Sequence, residues 1–395
     1  MEEVSRRALA WAAARDYCGF SKYDALESPV LRRLASDLPF LRWGITEAVM
    51  RSPVNLRALL GVRKGRNPKG LALFAMAYLA RWKRRKYQED LEEAGRLVSE
   101  LFSIRHTSFS GWGWGYHHPW QDLGFYQPAG FPNRVVTYYV GRAAWEYYLE
   151  TRDWTAREMA ENAVEFLLFA PKPLFESEGE LCLSYIPSEK IRMRIMDISS
   201  YAADLAAVIG SVLKRPEWLA RARRLANYVF RRQTPEGGWY YTDPPSAHPK
   251  GIDNYHTAVI LESLQRVQER LLIPEWENAL ERGWRFYAEK LFEPDGAPRW
   301  TVRKRYPYDV HSAASAVIGF VCASRGNPSY RLQARKILEW MIGNLWSEKE
   351  GCFHYQKTWW GTKRFCLMRW CQAWACRALE EFLLNEQAEG TKHVF

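Results

Sequence analysis

A short turn of glycine and aromatic residues recurs five times along the chain, and a period of that kind leaves few folds open. It reads Gly111-Trp112-Gly113-Trp114-Gly115-Tyr116, then returns at residues 179–185, 236–241, 295–300 and 350–355. After each turn a polar residue opens an apolar run of helical period. These openings are Asn133, Asp197, Asp253, Asp309 and the segment at Arg369, spaced by 64, 56, 56 and 60 residues. Between an opening and the next turn there is room for two helices. In the third unit Ala258, Leu261, Leu264 and Val267 fall at helical spacing, Pro274 restarts the chain, and a second amphipathic run follows. The spacing predicts helix pairs at 70–86/88–103, 134–151/154–169, 197–214/217–232, 253–271/275–291 and 309–325/329–346, with a last helix at 366–385. The N-terminal region can supply a twelfth.

The expected fold is therefore all-α: an (α/α)6-type toroid of antiparallel helical hairpins, with short β segments around the turns at its mouth. First helices, rich in Ala, Ser, Tyr and Gly, line the inside, and charged second helices face out. Residues 1–65 hold Pro29, Pro39, Pro53 and many basic residues. They read as a basic N-terminal arm packed on a toroid domain of 66–395.

The formal net charge is +11, and it is concentrated. Residues 30–86 carry 14 Lys and Arg against Asp37 and Glu47, while the remainder is close to neutral. Such a stretch attracts polyanions. An acidic oligo- or polysaccharide, free or lipid-linked, is the expected partner, with an anionic membrane surface or partner proteins of an assembly complex met through residues 30–86, and nucleic acid is not expected. The seven cysteines include no CxxC pair, and the N-terminus lacks the pattern of a signal peptide. A cytoplasmic protein is expected, with peripheral contact at the inner membrane surface as an option. No metal and no cofactor are expected: His117, His118, His256 and His311 can meet in one cavity, but no metal-ligand spacing supports it.

In such a toroid the connections from outer to inner helices gather at one mouth, where inner-helix starts present free N–H groups. Candidate chemistry sits there. Asp197 reads first as a helix N-cap and second as a binding residue, whereas Asp253 and Asp309 read as caps and equally as carboxylates of a site. Two are followed closely by His256 and His311, which a cap does not need, and histidine transfers protons near neutral pH. Tyr255 and Tyr116 are candidate phenol partners. The loop 112–121 holds Trp112, Trp114, His117, His118, Trp120 and Gln121. It is read as a stacking platform for sugar rings, extended by Trp239, Tyr241 and the pair Trp359-Trp360, or as a plug of the mouth. Asn133, Arg134, Arg369, Trp370 and Gln372 complete the expected binding set.

Residues 223–239 (RRLANYVFRRQTPEGGW) resemble the Gln-Trp repeat of terpenoid cyclases, also helical barrels, in which Gln and Trp tie helix ends together. The Asp-rich motifs of those enzymes are missing, as no Asp-Asp pair occurs in the chain. The resemblance implies fold rather than cyclisation. A longer likeness, over roughly residues 55–385, rests on NPKGLALFAMAYL, GWGYHHPWQ, PNRVVTYY, QTPEGGWYY, GIDNYHTAVILESL and YPYDVHSAASAV. These look like a family of bacterial and archaeal proteins encoded with polysaccharide-assembly enzymes. By fold that family is similar to six-hairpin glycosidases, uronate lyases and the helical domain of glucuronyl C5-epimerases. It implies glycan chemistry.

Three activities follow as expectations. One is removal of the C5 proton of a uronic acid, giving epimerisation or elimination, with His256 or His311 as base and Asn133, Arg134 and Arg369 on the carboxylate. Another is glycoside hydrolysis by the pair Asp253 and Asp309. The last is a non-catalytic glycan-binding scaffold.

Overall fold

A computed structural model describes residues 1–170 and 172–392. Its fourteen α-helices, among the described residues, are α1 (Glu2–Ala13), α2 (Pro29–Ala35), α3 (Pro39–Arg51), α4 (Pro68–Arg85), α5 (Gln88–Ser103), α6 (Arg134–Thr151), α7 (Trp154–Phe169), α8 (Met196–Leu213), α9 (Pro216–Phe230), α10 (Asn254–Leu271), α11 (Pro274–Lys290), α12 (Val310–Ala323), α13 (Ser329–Leu345) and α14 (Trp374–Lys392). Helices α4, α6, α8, α10, α12 and α14 pack in sequence, and α14 closes back onto α4. Each of the first five has its successor in the chain as outer partner. The outer place beside α14 is taken by α1, from the other end of the chain; Ser5 Oγ donates to Glu380 there at 2.6 Å. A wide π-type turn, Met368–Ala373, begins the last inner stave.

The sequence gives this ring its geometry at both helix ends. Inner helices α4, α6, α10 and α12 are capped by the side chains of Asn67, Asn133, Asp253 and Asp309, which accept first-turn N–H groups. At their far ends α4, α6, α8 and α10 stop on a residue in the left-handed region: Lys86, Arg152, Lys214 and Leu272. The outer helix then starts within two residues. Left-handed backbone costs a residue with a side chain about 1 kcal/mol or more. Leu272 is largely exposed. Leu272→Gly is therefore expected to raise stability by about 1 kcal/mol in urea unfolding; a loss would show that the side chain packs on α11.

The recurring turn has a packing cause. Gly237, at φ +113, lies where a Cβ would stand 2.6 Å from the Arg282 carbonyl oxygen of α11. Gly111, at φ +72, presses likewise on the Asn162 carbonyl of α7, at 2.2 Å. These two turns thus lie on the backbone of the next outer helix, which only glycine permits. The aromatic partner closes the previous one: Trp114 Nε1 donates to Leu101 O at 2.7 Å and Trp239 Nε1 to Val229 O at 2.8 Å, both at outer-helix ends.

Inner-to-outer links are short and outer-to-inner ones long, so the long ones share one face. Two-residue antiparallel segments knit that face: Arg194–Ile195 pairs with Thr242–Asp243, and Tyr308–Asp309 with Gln356–Lys357, which pairs onward with Thr362–Lys363. Residues 14–67 join α1 to α4 and are the sixth long connection. The stretch 1–65 thus contains one outer helix and most of one mouth connection. Helix α8 is apolar and long enough to cross a bilayer, yet it is a stave of the inner ring, with 83% of that span buried.

Candidate functional site

The six long connections enclose a basin of about 1090 Å³ at the starts of the inner helices. One rule of register fills its floor. The second residue of each inner stave after its cap faces the basin: Lys69, Val135, Asp197, Tyr255, His311 and Arg369. A helix whose N-terminus points at the mouth presents its first turn to the axis; this position does so in all six staves, and His256 and Trp370, one residue on, join it in two. The caps lie one turn-edge away and are consumed by structure.

Asp197 follows the rule against expectation. Ile195 stands at the cap position of α8, so Asp197 is a first-turn residue rather than a cap. Its Oδ1 is buried without a hydrogen-bond partner. Burial pushes its carboxyl above the usual range, opposed by His256, Lys250 and Lys69.

Asp253 caps α10 with one oxygen and holds His256 with the other: Oδ1 accepts from His256 N at 2.9 Å and Oδ2 pairs with His256 Nδ1 at 2.6 Å. Burial pushes the Asp253 carboxyl up, but the adjacent imidazole outweighs it and holds the group below its ordinary value. In the neutral ring this contact puts the proton on Nδ1 and leaves the Nε2 lone pair free. His256 lies on the basin wall beside Tyr241, ring centres 4.5 Å apart.

His311 stacks between Trp370 at 3.8 Å and Tyr255 at 4.0 Å. Neither ring nitrogen has a partner. Burial, then the charges of Lys69 and Arg369, push its pKa well down, so it is neutral. Tyr255 Oη accepts from Lys69 Nζ at 3.2 Å and shares a hydrogen bond with Tyr201 Oη at 3.1 Å. Burial drives the Tyr255 phenol well above its ordinary pKa. Lys69 is pushed well below its own, by burial and by Arg369.

Arg369 donates to Ser21 Oγ at 3.3 Å and lies over the Tyr116 ring, whose hydroxyl meets that of Tyr185 at 3.0 Å. Lys22, from the α1–α4 connection, sits 3.7 Å from the Trp370 ring centre, and burial lowers its pKa to about 8. Basic side chains on the basin wall outnumber acidic ones by eight to four.

The loop 112–121 divides. Tyr116, Trp120 and Gln121 line the basin. Trp112 packs on Phe102 and Arg105, and Trp114 on the end of α5. His117 meets Asn67 Nδ2 through Nδ1 at 3.3 Å, and His118 stacks on Tyr116; neither lines the basin. Trp370 and Tyr241 are basin residues, with Trp359 and Trp360 at the rim. Among the described residues no cluster of three or more His, Cys, Asp or Glu is arranged to hold a metal ion.

Several expected site residues belong to the scaffold instead. Asp309 is fully buried, and its oxygens are taken by His311 N, Gln356 Nε2 and Trp370 Nε1 at 2.6–2.9 Å. Asp309 is not part of the basin wall. Asn133 is a cap. Arg134, fully buried, donates to the carbonyls of Leu167, Ser184 and Ala170 and ties the end of α7 to the connection that follows it. Gln372 bonds Ala8 O and Phe353 N, and Trp239 closes α9. Sequence reasoning missed Lys22, Lys69, Lys250, Tyr23, Tyr185 and Trp300, all on the basin wall.

Two histidines set an acid limit on this architecture. Burial, then Arg369, pushes His117 down to about 4; burial, then Lys250, does the same to His248. Unfolded, each titrates near 6.5. Between those values the unfolded chain binds protons the folded one refuses, so stability falls as pH drops through that window. His117→Gln is expected to flatten the fall by up to ~1.4 kcal/mol per pH unit in urea midpoints between pH 6.5 and 4; an unchanged slope would refute the assignment.

No protein-family model and no curated protein sequence matches the chain. Solved structures do. The cellobiose 2-epimerase of Spirochaeta thermophila superposes with a TM-score of 0.59 at 17% identity, covering 82% of this chain and 87% of that one. The GH76 α-mannanase of Bacteroides thetaiotaomicron gives 0.65 at 10% identity, covering 82% and 88%. An unsaturated glucuronyl hydrolase specific for heparin gives 0.62 at 14%, covering 83% and 89%. The fold is the (α/α)6 toroid. The six staves described above are its inner ring, and the basin is the open end of that ring.

Proposed function

We propose that the chain is a carbohydrate-active enzyme that removes the proton next to the carboxylate of an acidic saccharide, the C5 proton of a uronic acid residue. The observation that carries this reading is His256 on the wall of a basin rich in cations, its ring held from behind by the Asp253 carboxylate. The C5 proton passes to His256 Nε2, and Asp253 stabilises the imidazolium that forms. The electron pair of the broken C–H bond spreads into the substrate carboxylate, where Arg369, with Lys69 and Lys22, offsets the added charge. In epimerisation a proton then returns to C5 on the opposite face, from Asp197 or the Tyr255 phenol. In elimination the C4–O bond breaks and the same group protonates the departing oxygen. Trp359 and Trp360, exposed at the rim, offer ring faces for the sugars. Solved toroids whose names describe sugar epimerases, a mannose isomerase and a glucuronyl hydrolase are in keeping with saccharide chemistry at such a mouth.

A glycoside-hydrolase reading survives in one form. Asp197, with an unpartnered oxygen and a raised pKa, suits a general acid, whereas Asp309 does not reach the basin. Uronate oligosaccharides incubated in heavy water separate the two. Deuterium at C5, or a new unsaturated uronate absorbing in the ultraviolet, supports proton abstraction. Release of reducing ends with neither deuterium nor unsaturation in the sugar supports hydrolysis and overturns it.

A further inference from the structure

We propose that the outer face of α2, with the turn before α4, is a docking surface for an anionic lipid bilayer. Five large apolar side chains stand in water here within thirty residues: Val30 (63% exposed), Leu34 (65%), Leu38 (57%), Phe40 (76%) and Leu59 (84%). Helix α2 turns only Ala35 inward, and Val30 and Leu34, four apart, share its outer face. Ser28 Oγ donates to Leu60 O at 2.6 Å, which pins Leu59 beside the start of α2. Exposed apolar area this concentrated marks an interaction site.

Its charge says what kind. The segment's other basic side chains, Arg42, Arg51, Arg57 and Arg66, are each held by a carboxylate. Arg32, Arg33, Arg63 and Lys64 are exposed and form no ion pair among the described residues. Arg32 and Arg63 both act on the Glu27 carboxyl, so α2 and the turn bring their free cations to one place. A second copy docked symmetrically would set these cations against their own images. A soluble polyanion would answer the charge and leave the Leu and Phe side chains in water. A bilayer with acidic headgroups takes both, apolar side chains into the acyl boundary and cations at the phosphates.

The surface also lies beside the basin. Helix α3 follows α2 directly and turns Trp43, Glu47 and Met50 to the basin wall, and Lys363 Nζ of the Trp359-Trp360 hairpin donates to Arg51 O at 3.0 Å. Docking would hold the basin mouth near headgroup level, where a lipid-carried saccharide is presented.

Co-sedimentation with vesicles tests this independently of any turnover. The full chain is expected to sediment with vesicles of phosphatidylcholine and phosphatidylglycerol, but not of phosphatidylcholine alone, and to be released by high salt. Each of Arg32→Glu, Arg33→Glu and Arg63→Glu should weaken binding about fivefold or more. Leu34→Glu with Leu59→Glu should abolish it while leaving the melting temperature unchanged, since both side chains are in water. No sedimentation with acidic vesicles, or binding indifferent to both sets of variants, would overturn the proposal. So would a dimer that the leucine variants dissociate in the absence of vesicle binding.

Discussion

His256→Ala is expected to lower the rate of deuterium entry at C5 by about 10²–10⁴-fold, the usual contribution of a positioned general base. The companion variant is the more telling one. Asp253 has two jobs on two oxygens, capping α10 and holding the His256 ring. Asn also caps well, so Asp253→Asn keeps the helix start and removes the negative charge that orients the ring and stabilises its protonated form. The expected result is a loss in kcat approaching that of His256→Ala, with stability within about 1 kcal/mol of the parent. A variant that unfolds readily but turns over normally would make Asp253 a cap and nothing more. His311→Gln serves as contrast: His311 is neutral, stacked and without a carboxylate, so its loss should act mainly on KM.

The largest stability effect is expected at Glu262, on α10 six residues beyond His256, about 9 Å along the helix. It lies below the basin in a buried ionic cluster. Its Oε1 accepts from Arg142 Nη1 at 2.5 Å and faces Arg377 Nη2 at 3.4 Å. Asp204 takes Arg266 at 2.9 Å and the Tyr138 hydroxyl at 2.5 Å. Burial alone would raise the Glu262 pKa, yet Arg142 and Arg377 outweigh it and hold the group at about 2. Glu262→Gln leaves two buried guanidiniums short of a counter-charge, and breaking such a pair costs about 3–5 kcal/mol. The sign with pH follows from the lowered pKa: the contribution is present above the unfolded value of 4.5 and drains away as pH falls toward 2. The variant should lose that acid dependence as well as stability. A change below about 1 kcal/mol would mean the cluster is hydrated and loosely held.

Much of the ring was legible because its causes are local. The glycine turns, the prolines that start outer helices and the polar caps all carry their reasons in sequence. Helix α6 runs over 134–151 as the period predicts. The site was legible two positions out of register. Reading each opening as a cap put Asn133, Asp253 and Asp309 in the basin, whereas the helix turns its second residue there. Aligned on that position, Tyr255 and His311 fall into line with Asp197 and Arg369, and the same rule applied after Asn67-Pro68 finds Lys69. Arg134 misled because a first-turn arginine looks the same in sequence whether it meets a ligand or three carbonyls. Lys22 and Tyr23 carry no local signal. They reach the basin only because α1 closes the ring from the far end of the chain and its connection to α4 crosses the mouth.

The most direct test of the account compares a uronate oligosaccharide with its carboxyl-reduced counterpart in heavy water, followed by NMR at C5. The carboxylate is what the basin's cations recognise and what makes the C5 proton removable. Deuterium should enter the acidic sugar, stop in Asp253→Asn, and stay out of the reduced sugar at every protein concentration. Equal processing of both sugars, or cleavage of either with neither exchange at C5 nor an unsaturated uronate end, would contradict it.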